Sequence, residues 1–186
     1  MNAQDINARI LAGYAQRASS SRAVRTRAGE VGWPCDRYVW YTRTTDRPPP
    51  AVGLLALFDQ GRADERRILA HLEERGVELV DRGVAFADDA LELAGALDAR
   101  ARLNGEVVPV EVKSTNEHTY DLLTGLAEDS VLAVDRALPR LSPFHQKWLG
   151  QVTAYPLLNQ GTRRETAAPR SLLVLGARGV LGLMRG

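Results

Sequence analysis

The sequence predicts an α/β domain with a central mixed β-sheet flanked by helices. Three observations predict it. A helical run over 52–75 ends at Gly76. Two alternating apolar runs, 91–103 and 106–114, meet at Asn104-Gly105. A second helical stretch over about 144–158 precedes an apolar strand at 171–175. Helix, three strands, helix, strand is the order of an α/β chain, and no internal repeat interrupts it.

Residues 1–50 read as an N-terminal arm followed by an aromatic and basic segment. The arm has some helical character, and Ser19-Ser20-Ser21 suggests a break in it. The stretch 32–43 mixes Trp33, Tyr38, Trp40 and Tyr41 with Arg37 and Arg43. Such mixing can stack bases and contact phosphates. The simpler expectation is that these aromatics anchor a terminal segment to the core. Asp46-Arg-Pro-Pro-Pro-Ala is a loop.

Residues 51–186 read as one further unit, so a single domain is expected overall. In the helix over 52–75, Ile68, Leu69 and Leu72 make an apolar stripe, and Glu65 lies one turn before it. Gly76 supplies the C-terminal stop. The stretches 77–80 and 84–86 are strand-like. Asn-Gly between alternating runs is the signature of a hairpin with a two-residue type I′ turn. A two-residue loop pairs Leu103 with Glu106. Counting down the ladder sets Asp98 opposite Glu111, with Cβ atoms roughly 4.5–5.5 Å apart. Lys113 is two residues on and shares their face. Leu97, Ala99, Ala101, Val108, Val110 and Val112 should form the opposite, apolar face. Pro109 could mark a bulge or an edge and shift that register. After Lys113 a short helix is expected around 120–126. Pro143 opens the helix over 144–158 at its first turn.

Like charges placed opposite each other destabilise a bare sheet. A divalent cation between Asp98 and Glu111 would reverse that cost. The plainer alternative is a solvated polar face on an amphipathic hairpin. Lys147, Gln151 and Tyr155 recur at i, i+4 and i+8 and form one helical stripe. It could meet solvent, the core or a site. His71, His118 and His145 lack metal-ligand spacing, and His71 reads as a helix-face residue. The glycines match neither phosphate-binding pattern, and no Gly-x-Ser-x-Gly elbow is present.

Cys35 is the single cysteine, which excludes an internal disulfide framework and an all-cysteine zinc site. No apolar stretch is long enough to span a membrane, and no signal core stands at the N-terminus. A cytoplasmic protein is expected. The net charge of +1 hides an asymmetry. Residues 1–50 carry eight Arg against four acids, 51–135 eight basic against eighteen acidic residues, and 136–186 eight basic against one. An acidic centre between basic ends suits a metal site that meets a polyanion. Uneven surface charge without consequence is the alternative. Lys113 and Lys147 are the only lysines among 24 basic residues, which points to positions that require a compact ammonium.

Gly61-x-x-x-Glu65, Gly95-x-x-Asp98, Glu111-Val112-Lys113-Ser-Thr and Gln151-x-x-x-Tyr155 follow the order and spacing of the PD-(D/E)xK nucleases. Over roughly 33–160 the chain resembles the RecB-like branch, which includes CRISPR-adaptation nucleases and phage-type exonucleases. Pro34-Cys35-Asp-Arg37-Tyr38 resembles the Cys-x-Arg element that opens many such domains. Leu97 stands where the family often has proline. The resemblance implies a restriction-endonuclease-like core and Mg²⁺ or Mn²⁺ held by Asp98, Glu111, the Val112 carbonyl and Glu65. It implies that Lys113 positions water or stabilises charge, while Gln151 and Tyr155 orient the site. The implied activity is DNA cleavage, as an exonuclease in recombination, repair or defence. A structure- or sequence-specific endonuclease and a catalytically silent DNA-binding module are the alternatives. With Cys35 alone, no iron–sulfur cluster is expected.

Overall fold

The computed structural model describes residues 2–17, 25–128, 131–132, 138–158, 172–177 and 180–185. Five helices appear among them: α1 (Ala3–Arg17), α2 (Asp36–Thr44), α3 (Val52–Glu74), α4 (Glu117–Leu126) and α5 (Pro143–Leu158). The strands are β1 (Thr26–Arg27), β2 (Glu78–Asp88), β3 (Leu93–Leu103), β4 (Glu106–Ser114), β5 (Ala127–Glu128), β6 (Val131–Leu132), β7 (Leu172–Ala177) and β8 (Val180–Arg185). The five longer strands run β2–β3–β4–β7–β8 across one mixed sheet. β4 and β7 are parallel, whereas β2–β3, β3–β4 and β7–β8 are antiparallel. The chain is thus α/β with helices against a mixed sheet. Among the described residues no helix is long and apolar enough to cross a membrane.

Alternation along β7 shows how the layers form. Leu172 and Val174 pack with Ile68, Leu69 and Leu72 of α3 and with Ala99, Ala101, Val110 and Val112. Leu173 and Leu175 pack instead with Leu123, Leu141, Trp148, Leu149 and Val152 of the α4–α5 side. Strand residues point alternately to the two faces, so the sheet lies between α3 and the α4–α5 pair. α3 ends where Gly76 reaches a φ of 85°. Gly76 N–H donates to the Glu73 carbonyl and Val77 N–H to the Leu72 carbonyl, which is a Schellman closure.

The hairpin turn has φ of 52° at Asn104 and 86° at Gly105, as a type I′ turn needs. Leu103 pairs with Glu106, and the register holds without a shift to Ala99 opposite Val110. Pro109 faces Arg100. Counting from the hydrogen-bonded closing pair, that position is a non-hydrogen-bonded one, so β3 asks no N–H of Pro109.

Several elements differ from the sequence expectation. The two strand-like stretches before the hairpin are one strand, β2, with a register shift between Leu79 and Asp81. Residues 36–44 form a helix although their aromatics are not buried: Tyr38, Trp40 and Tyr41 are 42%, 57% and 49% exposed. The N-terminal segment is anchored by other groups. β1 pairs with β3, Ala28 is buried against Leu97 and Tyr155, and buried Glu30 accepts from the Thr42 hydroxyl. Leu97 thus packs in this cluster, apart from the one that holds Ala99 and Ala101.

Candidate active site

A fork in the sheet creates the site. β2 pairs along one edge of β3 from Leu93 to Arg102. The other edge is divided. β1 takes Leu93 and Ala94, while β4 takes Ala99 to Leu103. Residues 95–98 lie in the gap. Backbone groups left unpaired there need other partners. The Asp98 carboxylate accepts from Val112 N–H at 2.7 Å, and the Tyr155 hydroxyl lies 3.3 Å from the Ala96 carbonyl. Gly95 keeps the gap narrow. A Cβ there would stand 2.8 Å from the Ala28 Cβ and 2.9 Å from Phe86 Cζ.

The two arginines of β3 that follow Asp98 are occupied. Arg100 holds Asp81 through two guanidinium nitrogens, and Arg102 donates to Glu78 at 2.9 Å. Asp98 is therefore not one member of a surface ion-pair ladder.

Around the fork a cleft of about 410 Å³ brings together Asp98, Glu111, Val112 and Lys113 from the strands with Glu65 from α3. Phe58, Gly61, Arg62 and Glu65 recur at i, i+3, i+4 and i+7, so a single stripe of α3 supplies that wall. Leu57, Phe144 and Trp148 also line it. These apolar residues are not among the site residues expected from the sequence. Their helical spacing to Glu65 and Gln151 was the available signal.

Glu111 is buried, and a closed ring of side chains fixes it. Lys113 Nζ donates to Glu111 Oε1 and, at 3.2 Å, to Gln151 Oε1. Gln151 Nε2 donates to the Tyr155 hydroxyl, which donates to Glu111 Oε2 at 2.8 Å. Glu111 and Lys113 alternate with Val110 and Val112 and so face α5, where Gln151 and Tyr155 sit one turn apart. Lys147, the third member of the expected stripe, turns to the rings of Phe144 and Trp33.

The electrostatics follow from this crowding. Burial, then the charge of Glu111, pushes the Asp98 carboxyl up to about 7, against the pull of the Val112 N–H. Burial and Glu111 also raise Glu65. Burial, with Glu111 beside it, keeps Tyr155 a neutral phenol.

The chain matches no protein-family model and no curated protein.

The donor chemistry can be tested against a hard cation. Among the described residues no three His, Cys, Asp or Glu side chains stand together as a ready-made metal cage. Mg²⁺ does not need one, because it keeps several waters and binds through one or two carboxylates plus substrate phosphates. Asp98 and Glu111 are two such carboxylates, and the charge of Glu111 raises the cost of charging Asp98. Carboxylate oxygens carry further lone pairs beyond those already used. The residues fit a cation of this class, with Val112 beside them and Glu65 within electrostatic reach.

Proposed function

We propose that this chain is a metal-dependent deoxyribonuclease of the PD-(D/E)xK type, acting as an exonuclease in the cytoplasm. One observation carries the reading. Two carboxylates from adjacent strands converge with a lysine at a sheet fork, and a buried Gln–Tyr pair on a helix ties lysine and carboxylate together. A solvated face has no use for such a ring. Exposed surface charges also do not lift a carboxyl to about 7.

Asp98, Glu111 and the Val112 carbonyl would hold Mg²⁺ or Mn²⁺, with Glu65 joining directly or through water. The cation would supply an acidified water and charge stabilisation at the phosphate. Lys113 presents an ammonium at the cleft, where it orients water or meets developing negative charge. Gln151 fixes the direction of that ammonium, and Tyr155 fixes the rotamer of Glu111. Gly61 lies on the cleft wall with nothing within 4 Å of where a Cβ would be, which leaves room for a backbone to approach.

The test is cleavage of labelled linear duplex, circular and single-stranded DNA with Mg²⁺ or Mn²⁺, with and without EDTA, beside calorimetric metal titration. Asp98→Ala and Glu111→Ala should lose metal binding and cleavage together. Lys113→Ala should lose most cleavage yet bind metal as well or slightly better, since a like charge has gone. Gln151→Ala should be impaired less. Cleavage by Lys113→Ala at the wild-type rate would sink the proposal. Loss of linear substrates with circular DNA spared is the outcome expected of an exonuclease.

A further inference from the structure

The aromatic residues of this chain are unevenly placed. Five aromatic side chains are counted as exposed: Tyr38, Trp40, Tyr41, Phe58 and Phe144. Three lie on α2 and two line the carboxylate cleft. Aromatic rings normally go to the core. Here the two main core clusters are built almost wholly from aliphatic residues, with Trp148 their one buried aromatic.

A path of ring contacts joins the two groups. Lys147 Nζ lies 4.1 Å from the ring centre of Phe144 and 5.4 Å from that of Trp33. Trp33 in turn meets Tyr38 at 5.0 Å. Beyond Trp33 opens a second cleft of about 790 Å³, walled by Trp33, Val39, Trp40, Arg43 and Thr44. Trp33 is held rigidly against α5. A Cβ on Gly32 would stand 2.8 Å from the Gly150 Cα, and one on Gly150 would stand 2.6 Å from the Gly32 Cα. Only two glycines allow this approach, and it sets Trp33 beside Lys147.

We infer that unpaired DNA lies along this path, its bases stacking on Trp33, Trp40 and Phe144 and a phosphate passing Lys147 into the carboxylate cleft. The inference rests on the nuclease reading and specifies its substrate as single-stranded. Paired bases hide their faces in the duplex stack, so only unpaired ones can use exposed rings. A duplex would ask instead for free cations along its phosphates. Yet Arg43 is held by Glu92 at 2.5 Å, and Arg47 is paired with Glu30. Lys147 is different. It is partly buried, carries no ion pair among the described residues, and is pressed by Lys113. A phosphate there offsets both charges.

Binding is measured without catalysis. A fluorescein-labelled oligothymidylate of about 16 nucleotides, the upper end of a single-strand site, is titrated with the full chain in EDTA. A duplex of equal length is titrated in parallel. The single strand should bind about ten-fold more tightly. Trp33→Ala and Trp40→Ala should each weaken it about ten-fold and leave duplex binding unchanged, and Trp33→Phe and Trp40→Phe should restore most of the loss. Trp40 is more than half exposed, so its replacement leaves packing intact. Equal binding of the two DNAs, or alanine variants that bind single strands like the wild type, would overturn the inference. Adding Mg²⁺ separates the two readings. Ring-dependent binding with no cleavage of any DNA keeps the path and removes the nuclease. Cleavage that ignores both tryptophans does the reverse.

Discussion

Asp98 stands at the balance point of the site. It must be a carboxylate to hold a cation, yet burial and Glu111 push its carboxyl up to about 7 from 3.8. The folded state thus holds this proton more tightly than the unfolded chain. The stabilisation is complete below the unfolded value and is lost as pH rises from about 4 through about 7. Asn in its place would still accept from Val112 N–H and would carry no charge. In EDTA at pH 8, Asp98→Asn should therefore unfold at a higher temperature than the wild type, with a gain of about 1–3 kcal/mol. The gain should shrink toward pH 5, and saturating Mg²⁺ should narrow it by stabilising only the wild type. Thermal unfolding at the two pH values checks this. Equal midpoints at pH 8 would mean that Asp98 is solvated like any surface acid. The approach of Asp98 to Glu111 was legible in the sequence, because a two-residue turn fixes the count from Asn104-Gly105, although the paired register ends at Ala99 opposite Val110, one residue short of them. What the count could not show is that Asp98 turns to the Val112 N–H. That depends on β4 leaving β3 after Ala99, and β4 leaves because β1, from a remote segment, takes the same edge.

At the scale of elements, legibility tracks how much an element depends on its own pattern. α3 and α5 were visible because their buried stripes recur with helical period. α2 was not, because the rings of its Tyr38, Trp40 and Tyr41 stay exposed and no apolar stripe marks it. β2 was seen as two pieces because Gly83, at a φ of 62°, and the shift near Val80 break its alternation. β8 runs through Gly182 and, among the described residues, pairs with β7 and β6, so tertiary pairing, not local sequence, reveals it. α3 also contains a local conflict. Gly61 sits in its interior, where glycine is disfavoured by about 1 kcal/mol relative to alanine, and no neighbour fills the space of a Cβ. Packing does not require this glycine. Gly61→Ala should thus raise stability by about 0.5–1 kcal/mol while slowing cleavage severalfold, because it lines the wall beside Glu65. Urea unfolding and a cleavage assay on one preparation test both halves. A stabilised variant with full activity would show that no substrate backbone comes close to this wall.

The whole molecule carries a net charge of +1, so it has little long-range pull on a polyanion. On the proposed reading, affinity for DNA would come from local contacts. Of the two basic ends, the C-terminal one has Arg163, Arg164 and Arg170 outside the described residues. The 37–43 flank belongs to α2, and its Arg43 lines the second cleft instead of the carboxylate one. Several other described arginines are spent on cross-element pairs such as Arg17–Asp59, Arg82–Glu73 and Arg100–Asp81. This distribution sets a quantitative expectation for salt. Each phosphate neutralised on a single strand contributes a slope of about −0.7 in log affinity against log salt concentration. A few contacts give a total slope of roughly −2, much shallower than a duplex-tracking protein shows. Lys147 should be one of those contacts, since it stands between the two clefts beside Lys113. Lys147→Gln should reduce the slope by about 0.7. Lys147→Arg should keep the slope, because a guanidinium carries the same charge and can stack on the faces of Phe144 and Trp33. Anisotropy titrations of labelled single strands across a salt series, with EDTA present, read all three proteins. If Lys147→Gln retains the wild-type slope, no phosphate passes between the clefts, and the two must serve different ligands.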